Sequence, residues 1–586
     1  MGPEHALKLW PDHPPLTAVE VCVSHEMNEI ETTVLIVGGG PVGLLGAQLL
    51  ARRGIQVVVA ERYPQRLDSP KAHALNPRSL EICAAAGLPM DEIHAVATRG
   101  EDGGYVWMME TLSAPPIGSI AYERQDDAVR AVTPWPLINI AQPQFEEVLE
   151  RAVLAQPGVT LLRGLEWRSG LQLTDGVTSS LQDRATGEVL KVRSRYVIAC
   201  DGAGSTVRES LGIAMDGPEG LASFMTIHFE ANLRSILGDQ LGILYFLFGP
   251  GLNGTLIAYD VEKTWVLMHP CGPDSTPQDF DEATCRAAVA AAVGAPVPDL
   301  QIKGVKGWKM SAQIARTYRD GKVFLAGDAG HRFPPTGGLG MNTGIGDIDN
   351  LAWKIAAVEA GWAGQALLET YESERRIIAQ TNMGQSLANT FRLGSLFEAL
   401  GYGADRTVDE ATYRARLADP ESRTRIDEAV AFQKDHFDSL RLQLGFAYGD
   451  ALRDDDTLPI SQFTPKCVVG ARLPHVELAD GRSTLDLVDP NGLTLIAAME
   501  AGDLTSLADG LRAPSVQWTE GADFAVSGEA WSVRMGLEPQ GAVLVRPDGH
   551  ILAVTARSGT DEARRLAGTL SAYLATPVDA ILTGTA

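Results

Sequence analysis

Apolar and polar residues follow a recognisable order along the first third of the chain. Residues 32–40 (TTVLIVGGG) form a short apolar run that ends in glycines, and residues 41–54 then carry apolar side chains at helical spacing. A run rich in β-branched residues follows at 55–62, and another apolar run, at 195–204, ends in a glycine-rich turn. This order of strand, turn, helix and strand predicts the start of a Rossmann-like fold.

The pattern changes between residues 216 and 312. Short segments rich in aromatic and β-branched residues, such as GILYFLFG and TWVLMHP, are separated there by turn residues, which predicts an antiparallel sheet. Helical patterns occur before this region, at 76–87 and 143–155, and after it, at about 345–398 and 424–437. The sheet is therefore expected to interrupt a helix-containing domain.

The C-terminal part, residues 461–586, contains strands of its own and a final helical pattern, TDEARRLAGTLSAYL, which predicts a separate small α/β domain. The predicted fold class is α/β, or α+β overall. The predicted parts are an N-terminal extension (1–30), a discontinuous Rossmann-like domain (31–215 and 313–400), a sheet domain for substrate (216–312), a helical connecting region (401–460) and the C-terminal domain (461–586). Residues 1–26 precede a second methionine, Met27, and are expected to be dispensable for folding.

Composition and charge exclude some classes of partner. Among the 586 residues, 45% are apolar and 21% charged, which is usual for a globular protein. The net charge is −25 without any lysine- or arginine-rich run, which argues against binding to nucleic acid or to an anionic membrane. The six cysteines are scattered without a CxxC pair, which predicts reduced thiols, no metal site and a cytoplasmic protein. A membrane-spanning apolar stretch is also missing from the sequence.

The first of three glycine-rich turns has the spacing Gly38-x-Gly40-x-x-Gly43, with Pro41 at the first position of the helix. Gly38 permits a tight turn, Gly40 permits close approach of a pyrophosphate, and Gly43 permits close packing of helix and strand. Glu61 ends the second strand, at the distance expected for an acid that accepts a ribose hydroxyl. The turn therefore predicts a dinucleotide site, without distinguishing NAD from FAD.

Two further turns carry acids at strand ends. The segment CDGAGSTVRESLGI contains Asp201 and Arg208, although an Asp-Gly pair is by itself a common turn. The segment GDAGHRFPPTGGLGMNTG contains Asp328, and the backbone N–H groups of residues 338–342 then enter a helix.

Together the three turns resemble the Gly-x-Gly-x-x-Gly, Asp-Gly and Gly-Asp motifs of the FAD-dependent aromatic hydroxylases, which are single-component flavoprotein monooxygenases. The order and approximate spacing are those of the family. The resemblance is greatest to the branch that contains phenol, 2-hydroxybiphenyl and 2,4-dichlorophenol hydroxylases and some polyketide hydroxylases. It extends from about residue 33 to about residue 575 and implies a thioredoxin-like C-terminal domain.

The resemblance implies FAD as the cofactor. It places Asp328 at the ribityl chain, the N–H groups at the start of the helix near the pyrimidine end of the flavin, and Pro334 and Pro335 beside the ring. The residues expected to bind FAD are Gly38, Gly40, Pro41, Gly43, Glu61, Arg62, Lys71, Gln142, Asp201, Asp328, Gly340, Met341 and Asn342. Two positions depart from the family pattern: Lys71 stands where many members have arginine, and Gly346 replaces a common glutamine.

The implied reaction is hydroxylation of a phenolic ring. NADH or NADPH reduces FAD, O₂ adds to give a flavin hydroperoxide, and this electrophile attacks the ring. Because a phenol has a pKa near 10, the site must favour the phenolate near pH 7. The predicted catalytic residues are His73, which matches a family histidine and suits proton exchange, and Pro335, in the wall beside the flavin.

Other residues of the sequence are weaker candidates for the substrate site. His331 is better explained by a structural hydrogen bond inside its turn, and Asp260 by a solvated turn. The predicted substrate-lining residues lie on the middle sheet, although core packing would also account for them: Tyr245, Tyr259 and Trp265. Arg208 is expected to stabilise its turn or to help bind the nicotinamide cofactor.

Two alternatives remain open. The same flavin chemistry would serve Baeyer–Villiger insertion, epoxidation or decarboxylative hydroxylation of a polyketide or other natural product. Alternatively, the chain is a flavin-binding protein without catalytic activity. The expected partners are a small aromatic substrate and, from the resemblance alone, a second copy of the chain in a homodimer, with neither nucleic acid nor membrane.

Overall fold

The described part of the chain comprises residues 29–66, 71–449, 459–501, 513–556 and 560–576 of a computed structural model. The proposed dispensable extension, residues 1–26, lies outside the described residues.

Within these described ranges the strands belong to five sheets. In chain order they are β1 (Glu29–Val37), β2 (Val57–Glu61), β3 (Ala74–Leu75), β4 (Tyr105–Met109), β5 (Pro116–Ala121), β6 (Ile138–Asn139), β7 (Val159–Arg163), β8 (Leu165–Gln172), β9 (Val177–Asp183), β10 (Val189–Ala199), β11 (Met215–Asp216), β12 (Ala222–Glu230), β13 (Leu244–Gly249), β14 (Leu252–Asp260), β15 (Thr264–Cys271), β16 (Gln301–Met310), β17 (Gln313–Ala315), β18 (Arg319–Asp320), β19 (Val323–Leu325), β20 (His331–Arg332), β21 (Leu493–Ala497), β22 (Ser515–Thr519), β23 (Ala542–Val545) and β24 (Ile551–Thr555).

The helices vary from single turns to thirty residues. They are α1 (Pro41–Ala51), α2 (Pro77–Ala85), α3 (Met90–Ala95), α4 (Gly100–Gly103), α5 (Asp127–Arg130), α6 (Gln142–Leu154), α7 (Thr206–Ser210), α8 (Arg234–Leu237), α9 (Glu282–Val293), α10 (Leu339–Glu359), α11 (Thr370–Ala399), α12 (Glu410–Ala418), α13 (Pro420–Ala431), α14 (Lys434–Phe437), α15 (Leu440–Leu444), α16 (Trp531–Arg534) and α17 (Thr560–Leu574). No helix within the described ranges is both long and apolar enough to cross a bilayer.

The Rossmann-like domain is built on a sheet with a parallel centre. Its strand order is β18-β19-β10-β1-β2-β7, and β9 and β8 extend it from β10 as an antiparallel pair. The ends of the central strands β1, β2 and β10 are apolar and buried at successive positions, so both faces of the sheet are covered there, and helices α1 and α10 pack against each other in the same core. In this arrangement the carboxyl ends of β1, β10 and β19 lie side by side, and each leads into one of the three glycine-rich turns.

The second sheet has the order β16-β12-β15-β14-β13-β4-β5. It is antiparallel except for the parallel pair β13 and β4. The predicted domain 216–312 therefore leaves out two strands, β4 and β5, which come from within the interval that was predicted to be Rossmann-like. The sequence did not reveal this, because the pairing of β4 with β13 joins segments more than a hundred residues apart.

Both faces of this seven-stranded sheet are covered. Helix α9 packs on one face, where Phe229, Tyr245 and Trp265 are buried together with Val289. The connecting helices α11 to α14 pack at the edge of the other face, which is occupied by a cavity.

The C-terminal domain contains a mixed four-stranded sheet of order β22-β21-β23-β24. The strands β21 and β22 are parallel, whereas β21, β23 and β24 are antiparallel. This mixed sheet and the flanking helix α17 agree with the predicted thioredoxin-like fold. Arg546 follows β23 and donates to Glu374 of α11 (Nη1 to Oε1, 2.9 Å), so a buried ion pair joins this domain to the Rossmann-like domain.

Candidate active site

A cavity of about 1190 Å³ lies between the three glycine-rich turns and the seven-stranded sheet. Its volume is larger than that of a usual pocket for one small ligand, which is about 300–1,000 Å³. One end is lined by backbone of the three turns, and the other by side chains of the sheet and of the connecting helices. The two ends suit two different ligands.

The glycines of the first turn have distinct steric roles. Gly38 has a φ of +108°, and a Cβ there would lie 2.3 Å from the carbonyl oxygen of Cys200. A Cβ on Gly43 would lie 2.0 Å from the carbonyl oxygen of Gly38, so only glycine permits this crossing of α1 and β1. A Cβ on Gly40, by contrast, would meet no atom within 4 Å, and this residue borders the cavity beside Pro41. The free N–H groups at the start of α1 therefore face open space.

Glu61 is held in place by backbone donors. Its Oε2 accepts from the N–H of Gly39 (2.7 Å) and its Oε1 from the N–H of Tyr63 (2.9 Å). Because a carboxylate oxygen can accept two hydrogen bonds, each oxygen keeps a lone pair for a hydroxyl in the cavity. Arg62 lines the same part of the wall, with its guanidinium 5.0 Å from the ring centre of Tyr63.

The acids of the second and third turns also border the cavity. Asp201 accepts from the N–H of Val207 through Oδ2 (3.2 Å), whereas its buried Oδ1 has no hydrogen-bond partner among the residues described. Asp328 is enclosed by protein on several sides, but its carboxyl is open to the cavity, and desolvation raises the pKa of each of the two acids. Arg208 is buried and donates to the carbonyl groups of Ala203 and Ala329, so it ties the second turn to the third.

Asp347 of α10 holds the third turn in place through hydrogen bonds. Its carboxylate accepts from the N–H of Gly327 (3.1 Å), from Nε2 of His331 (2.9 Å) and from Nε of Arg375 (2.9 Å). His331 is therefore a structural residue, as the sequence favoured. The Arg375 guanidinium also explains Gly346, since a Cβ there would lie 2.7 Å from Nη2 of Arg375.

The N-terminus of α10 points its free N–H groups at the same cavity. Gly338 precedes the helix with a φ of +62°, and Gly340 and Met341 line the wall. Asn342 does not line it: its side chain accepts from the N–H of Asn76 (3.0 Å) and donates to the carbonyl of Ala74 (3.0 Å). Its side chain therefore holds the loop at Ala74–Asn76 and does not line the cavity, and the expected role of its backbone N–H stays a prediction.

The opposite end of the cavity is a box of aromatic rings around His73. The His73 ring centre lies 6.0 Å from that of Tyr259, in an edge-to-face arrangement, and 6.3 Å from that of Tyr122. Phe437 lies 6.2 Å beyond Tyr122 and stacks on His436 at 3.9 Å. All five residues line the cavity, and so does Pro335 of the third glycine-rich turn.

The orientation of His73 is set by Asn139. The Nδ1 of His73 lies 3.0 Å from Oδ1 of Asn139, and because this amide oxygen can only accept, Nδ1 carries the proton. Nε2 is then a free acceptor. Burial lowers the pKa of His73 below its ordinary 6.5, so the neutral ring predominates at neutral pH.

Comparisons with known proteins agree with this geometry. Residues 31–386 match the family model of an FAD binding domain, and residues 466–577 match that of the C-terminal domain of aromatic-ring hydroxylases. The chain is 32% identical to aklavinone 12-hydroxylase of Streptomyces purpurascens, over 94% of this chain and 100% of the relative. It is 30% identical to 2,4-dichlorophenol 6-monooxygenase of Cupriavidus pinatubonensis, over 89% and 93%.

The chain belongs to the FAD-dependent aromatic-ring hydroxylases. Solved structures show the same fold. The flavin-dependent monooxygenase PieE, solved with FAD and substrate, has a TM-score of 0.87 at 30% identity and covers 94% of this chain and 100% of its own. Aklavinone-11 hydroxylase, solved with FAD and aklavinone, has a TM-score of 0.78 at 30% identity, over 93% and 99%. The hydroxylase is thus a flavoprotein monooxygenase, and the predicted fold class is confirmed.

The first end of the cavity fits FAD. It provides an open backbone cradle at Gly40, the anchored acid Glu61, the unpaired oxygen of Asp201 and the open carboxyl of Asp328. Lys71 and Gln142 lie on the adjoining wall, and Gln142 donates to Glu146 (Nε2 to Oε1, 2.7 Å). Bound FAD supplies the electron transfer from NAD(P)H and the activation of O₂, which protein side chains cannot.

Two of the three residues predicted to line the substrate site of the hydroxylase do not do so. Tyr245 and Trp265 are buried on the opposite face of the seven-stranded sheet, under α9, and do not line the cavity. Neighbouring residues of a strand point to opposite faces, and in β14 the odd positions, including Tyr259, face the cavity. Tyr259 is therefore the one of the three that the structure places in the wall. Asp260 is the exposed last residue of β14 and accepts from the N–H of Glu262 in the following turn (2.9 Å).

Several wall residues were not predicted from the sequence. Tyr122 and Glu123 follow β5, and His436 and Phe437 belong to the helical connecting region. Burial raises the pKa of Glu123 to about 8 and lowers that of His436 to about 3, so both side chains are largely neutral at pH 7. One signal is present in the sequence. The segment HFDSLRLQLGFAY, which begins at His436, resembles the segment that precedes the C-terminal domain in the family.

Proposed function

We propose that this hydroxylase adds oxygen to the phenolic ring of a fused-ring aromatic compound, such as a polyketide. The observation that carries the proposal is the aromatic box around His73, which is continuous with the flavin cradle in one cavity. A planar ring that packs edge-on or stacked against such side chains gains about 0.5–1.5 kcal/mol per ring pair beyond the burial of its surface.

The proton acceptor for the phenol is Nε2 of His73. Its neutral, acceptor form follows from the Asn139 contact and from burial. Removal of the phenol proton makes the ring carbon beside the oxygen a stronger nucleophile, and the surrounding rings exclude water from this end of the cavity.

Polar atoms at separate points of the wall favour a substrate with more than one oxygen. In the described part of the chain, Oη of Tyr259 and Nδ1 of His436 are buried without a hydrogen-bond partner. Tyr259 is in contact with His73, whereas His436 lies beyond the rings of Tyr122 and Phe437. Both residues line the cavity, and we infer that this wall suits a fused-ring phenol with more than one oxygen better than a single-ring phenol.

Two relatives support this size of substrate. Aklavinone 12-hydroxylase is among the most similar relatives, and the structure of aklavinone-11 hydroxylase contains aklavinone. The family also includes 2,4-dichlorophenol 6-monooxygenase, so a single-ring phenol is the competing hypothesis.

The test uses the FAD-loaded enzyme and two probes, 2-hydroxybiphenyl and 1,8-dihydroxyanthraquinone. We expect the fused-ring probe to perturb the visible flavin spectrum and to stimulate NAD(P)H oxidation, with a product 16 mass units heavier. A response to 2-hydroxybiphenyl alone would favour the simple-phenol hypothesis. If NAD(P)H were oxidised but neither probe gave a heavier product, the proposed reaction would be contradicted.

The His73→Ala enzyme is expected to lose about 100-fold or more of its kcat for phenol hydroxylation, because general base catalysis usually contributes 10²–10⁴-fold. FAD content should not change. Since the pKa of His73 is lowered, the wild-type rate should fall only as the pH drops below the ordinary histidine pKa of 6.5, and this acidic limb should vanish in the variant. The measurement is the pH profile of product formation.

The matched control is His94→Ala, which removes a histidine that stacks on Trp135 at 5.6 Å outside the cavity wall. Its pH profile should equal that of the wild type. An unchanged acidic limb in His73→Ala would show that another group accepts the proton.

The homodimer and the cytoplasmic location stay predictions. Sedimentation equilibrium of the FAD-loaded enzyme tests the former, with a mass of twice 62.6 kDa expected. Fractionation of the producing cells tests the latter.

A further inference from the structure

A strand at the edge of the seven-stranded sheet presents lysines at the rim of the cavity. In β16, Lys306 pairs in register with Thr226 of β12, and Trp308 pairs with Phe224. All four residues line the cavity. Lys306 is exposed, so this edge of the cavity is open to solvent.

The charge of Lys306 is not neutralised by the protein. Neither Lys306 nor Lys71 forms an ion pair with a described residue, although the chain carries a net charge of −25. By contrast, Lys303 of the same strand pairs with Glu230 (3.4 Å) on a part of the strand that does not line the cavity. Lys309 also lines the cavity and likewise forms no ion pair with a described residue, so three lysines give this wall a local positive charge that suits an anion.

Lys71 and Lys306 both line the cavity, and their positive charges repel each other. Partial burial lowers the pKa of Lys306, and the positive charge of Lys71 lowers it further. Two ammonium groups near each other repel, and this repulsion is relieved when a phosphate binds between them.

A flat aromatic surface adjoins the lysines. The rings of Phe224 and Trp308 are stacked, with centres 5.0 Å apart and planes at 17°. Because residues two apart in a strand lie about 7 Å from each other on one face, a ring on Trp308 and a phosphate on Lys306 match two linked parts of one nucleotide. Stacking on an aromatic side chain stabilises a bound nucleotide base.

We propose that Lys306 and the Phe224–Trp308 pair form the docking site of the nicotinamide dinucleotide, with Lys306 on its phosphates and Trp308 under one of its rings, while Lys71, on the wall that adjoins the FAD end, adds positive charge nearby. The proposal rests on the requirement of the hydroxylase for NAD(P)H and assigns a place to it. The pyrophosphate of FAD has a different partner, the backbone at the start of α1, on the Rossmann-like side of the cavity.

The experiment compares Lys306→Gln with the wild type, both loaded with FAD. The dissociation constant is measured by calorimetric titration with NADP⁺ and NAD⁺, and independently from the rate of anaerobic flavin reduction at increasing NADPH and NADH. We expect the variant to bind the nicotinamide nucleotides about tenfold more weakly, which is the effect of losing about 1.4 kcal/mol. Its FAD content and its limiting reduction rate should be within twofold of the wild type.

The matched control is Lys303→Gln, which removes the same charge from the same strand outside the cavity. It should change the dissociation constant less than twofold. Lys306→Arg should retain most of the affinity, since arginine also binds phosphate.

Comparison of NADP⁺ with NAD⁺ shows which phosphate Lys306 contacts. A loss of affinity for both NADP⁺ and NAD⁺ places Lys306 on the pyrophosphate, and a loss for NADP⁺ alone places it on the 2′-phosphate; either supports the proposal. Unchanged affinities for both nucleotides would overturn it. So would a loss confined to the aromatic substrate, measured with 1,8-dihydroxyanthraquinone, because the lysines would then serve that ligand.

Discussion

A Gly40→Ala enzyme is expected to fold and to be purified without FAD. Gly40 has a φ of −78°, which alanine adopts without strain, and the added Cβ would meet no atom within 4 Å. The new methyl group would occupy the open space beside the N–H groups at the start of α1, where the pyrophosphate must approach the backbone. We expect an affinity for FAD at least about a hundredfold lower, which corresponds to about 2.7 kcal/mol. The measurement is FAD content, followed by titration of the apoprotein with FAD.

Two other glycines provide the controls. Gly384 lies within α11, where an added Cβ would meet no atom within 4 Å, so Gly384→Ala should keep FAD and slightly stabilise the helix. Gly43→Ala should instead destabilise the fold, because its Cβ would lie 2.0 Å from a backbone carbonyl. A Gly40→Ala enzyme that retained FAD at wild-type affinity would contradict the assignment of this turn to the pyrophosphate.

The Asp347→Ala enzyme is expected to be strongly destabilised. The substitution leaves the buried guanidinium of Arg375 without its carboxylate and removes the acceptor for His331 and for the N–H of Gly327. Removing one partner of a buried ion pair typically costs about 3–5 kcal/mol. Because Gly327 precedes Asp328, we also expect FAD to dissociate before the protein unfolds. Urea titration followed by flavin fluorescence and by circular dichroism measures the two events.

The comparison variant is Glu282→Ala, which removes an exposed pair with Arg286 on α9. Its unfolding midpoint should hardly change. An equally small effect in Asp347→Ala would mean that the third turn is held by other contacts.

The same carboxylate predicts a direction for the pH dependence of stability. Desolvation opposes the charge of Asp347, but Arg375 and His331 outweigh it, so the pKa of Asp347 in the folded protein lies below its ordinary value. A carboxyl with a lowered pKa contributes stability above the pKa of the unfolded state, and this contribution is lost as the pH falls towards the folded pKa. The difference in stability between wild type and Asp347→Ala should therefore shrink in acid.

The sequence by itself determined the cofactor side of the site. The glycine spacing at residues 38–43, Glu61 and the turns at Asp201 and Asp328 could be recognised because their requirements are local: a positive φ, a missing Cβ, or an acid at a strand end. These features do not depend on which distant segment packs nearby.

The substrate side was decided by tertiary structure. Strand β13 (LYFLFG) is apolar at every position because the sheet is covered on both faces, so hydrophobicity does not tell which residues face the cavity. Tyr245 and Trp265 were therefore predicted on the wrong face, and Tyr259 on the right one.

The remaining wall residues come from segments far apart in the chain. Tyr122 lies after β5, and Phe437 lies in the connecting region, yet their ring centres are 6.2 Å apart. The side chain of Asn342 contacts Asn76 and Ala74, a long-range contact that its glycine-rich motif did not indicate. Sequence patterns thus determined which backbone segments could approach a dinucleotide. Long-range packing alone decided which side chains surround the ring to be oxidised, because the contacts between those elements leave no local signal in the sequence.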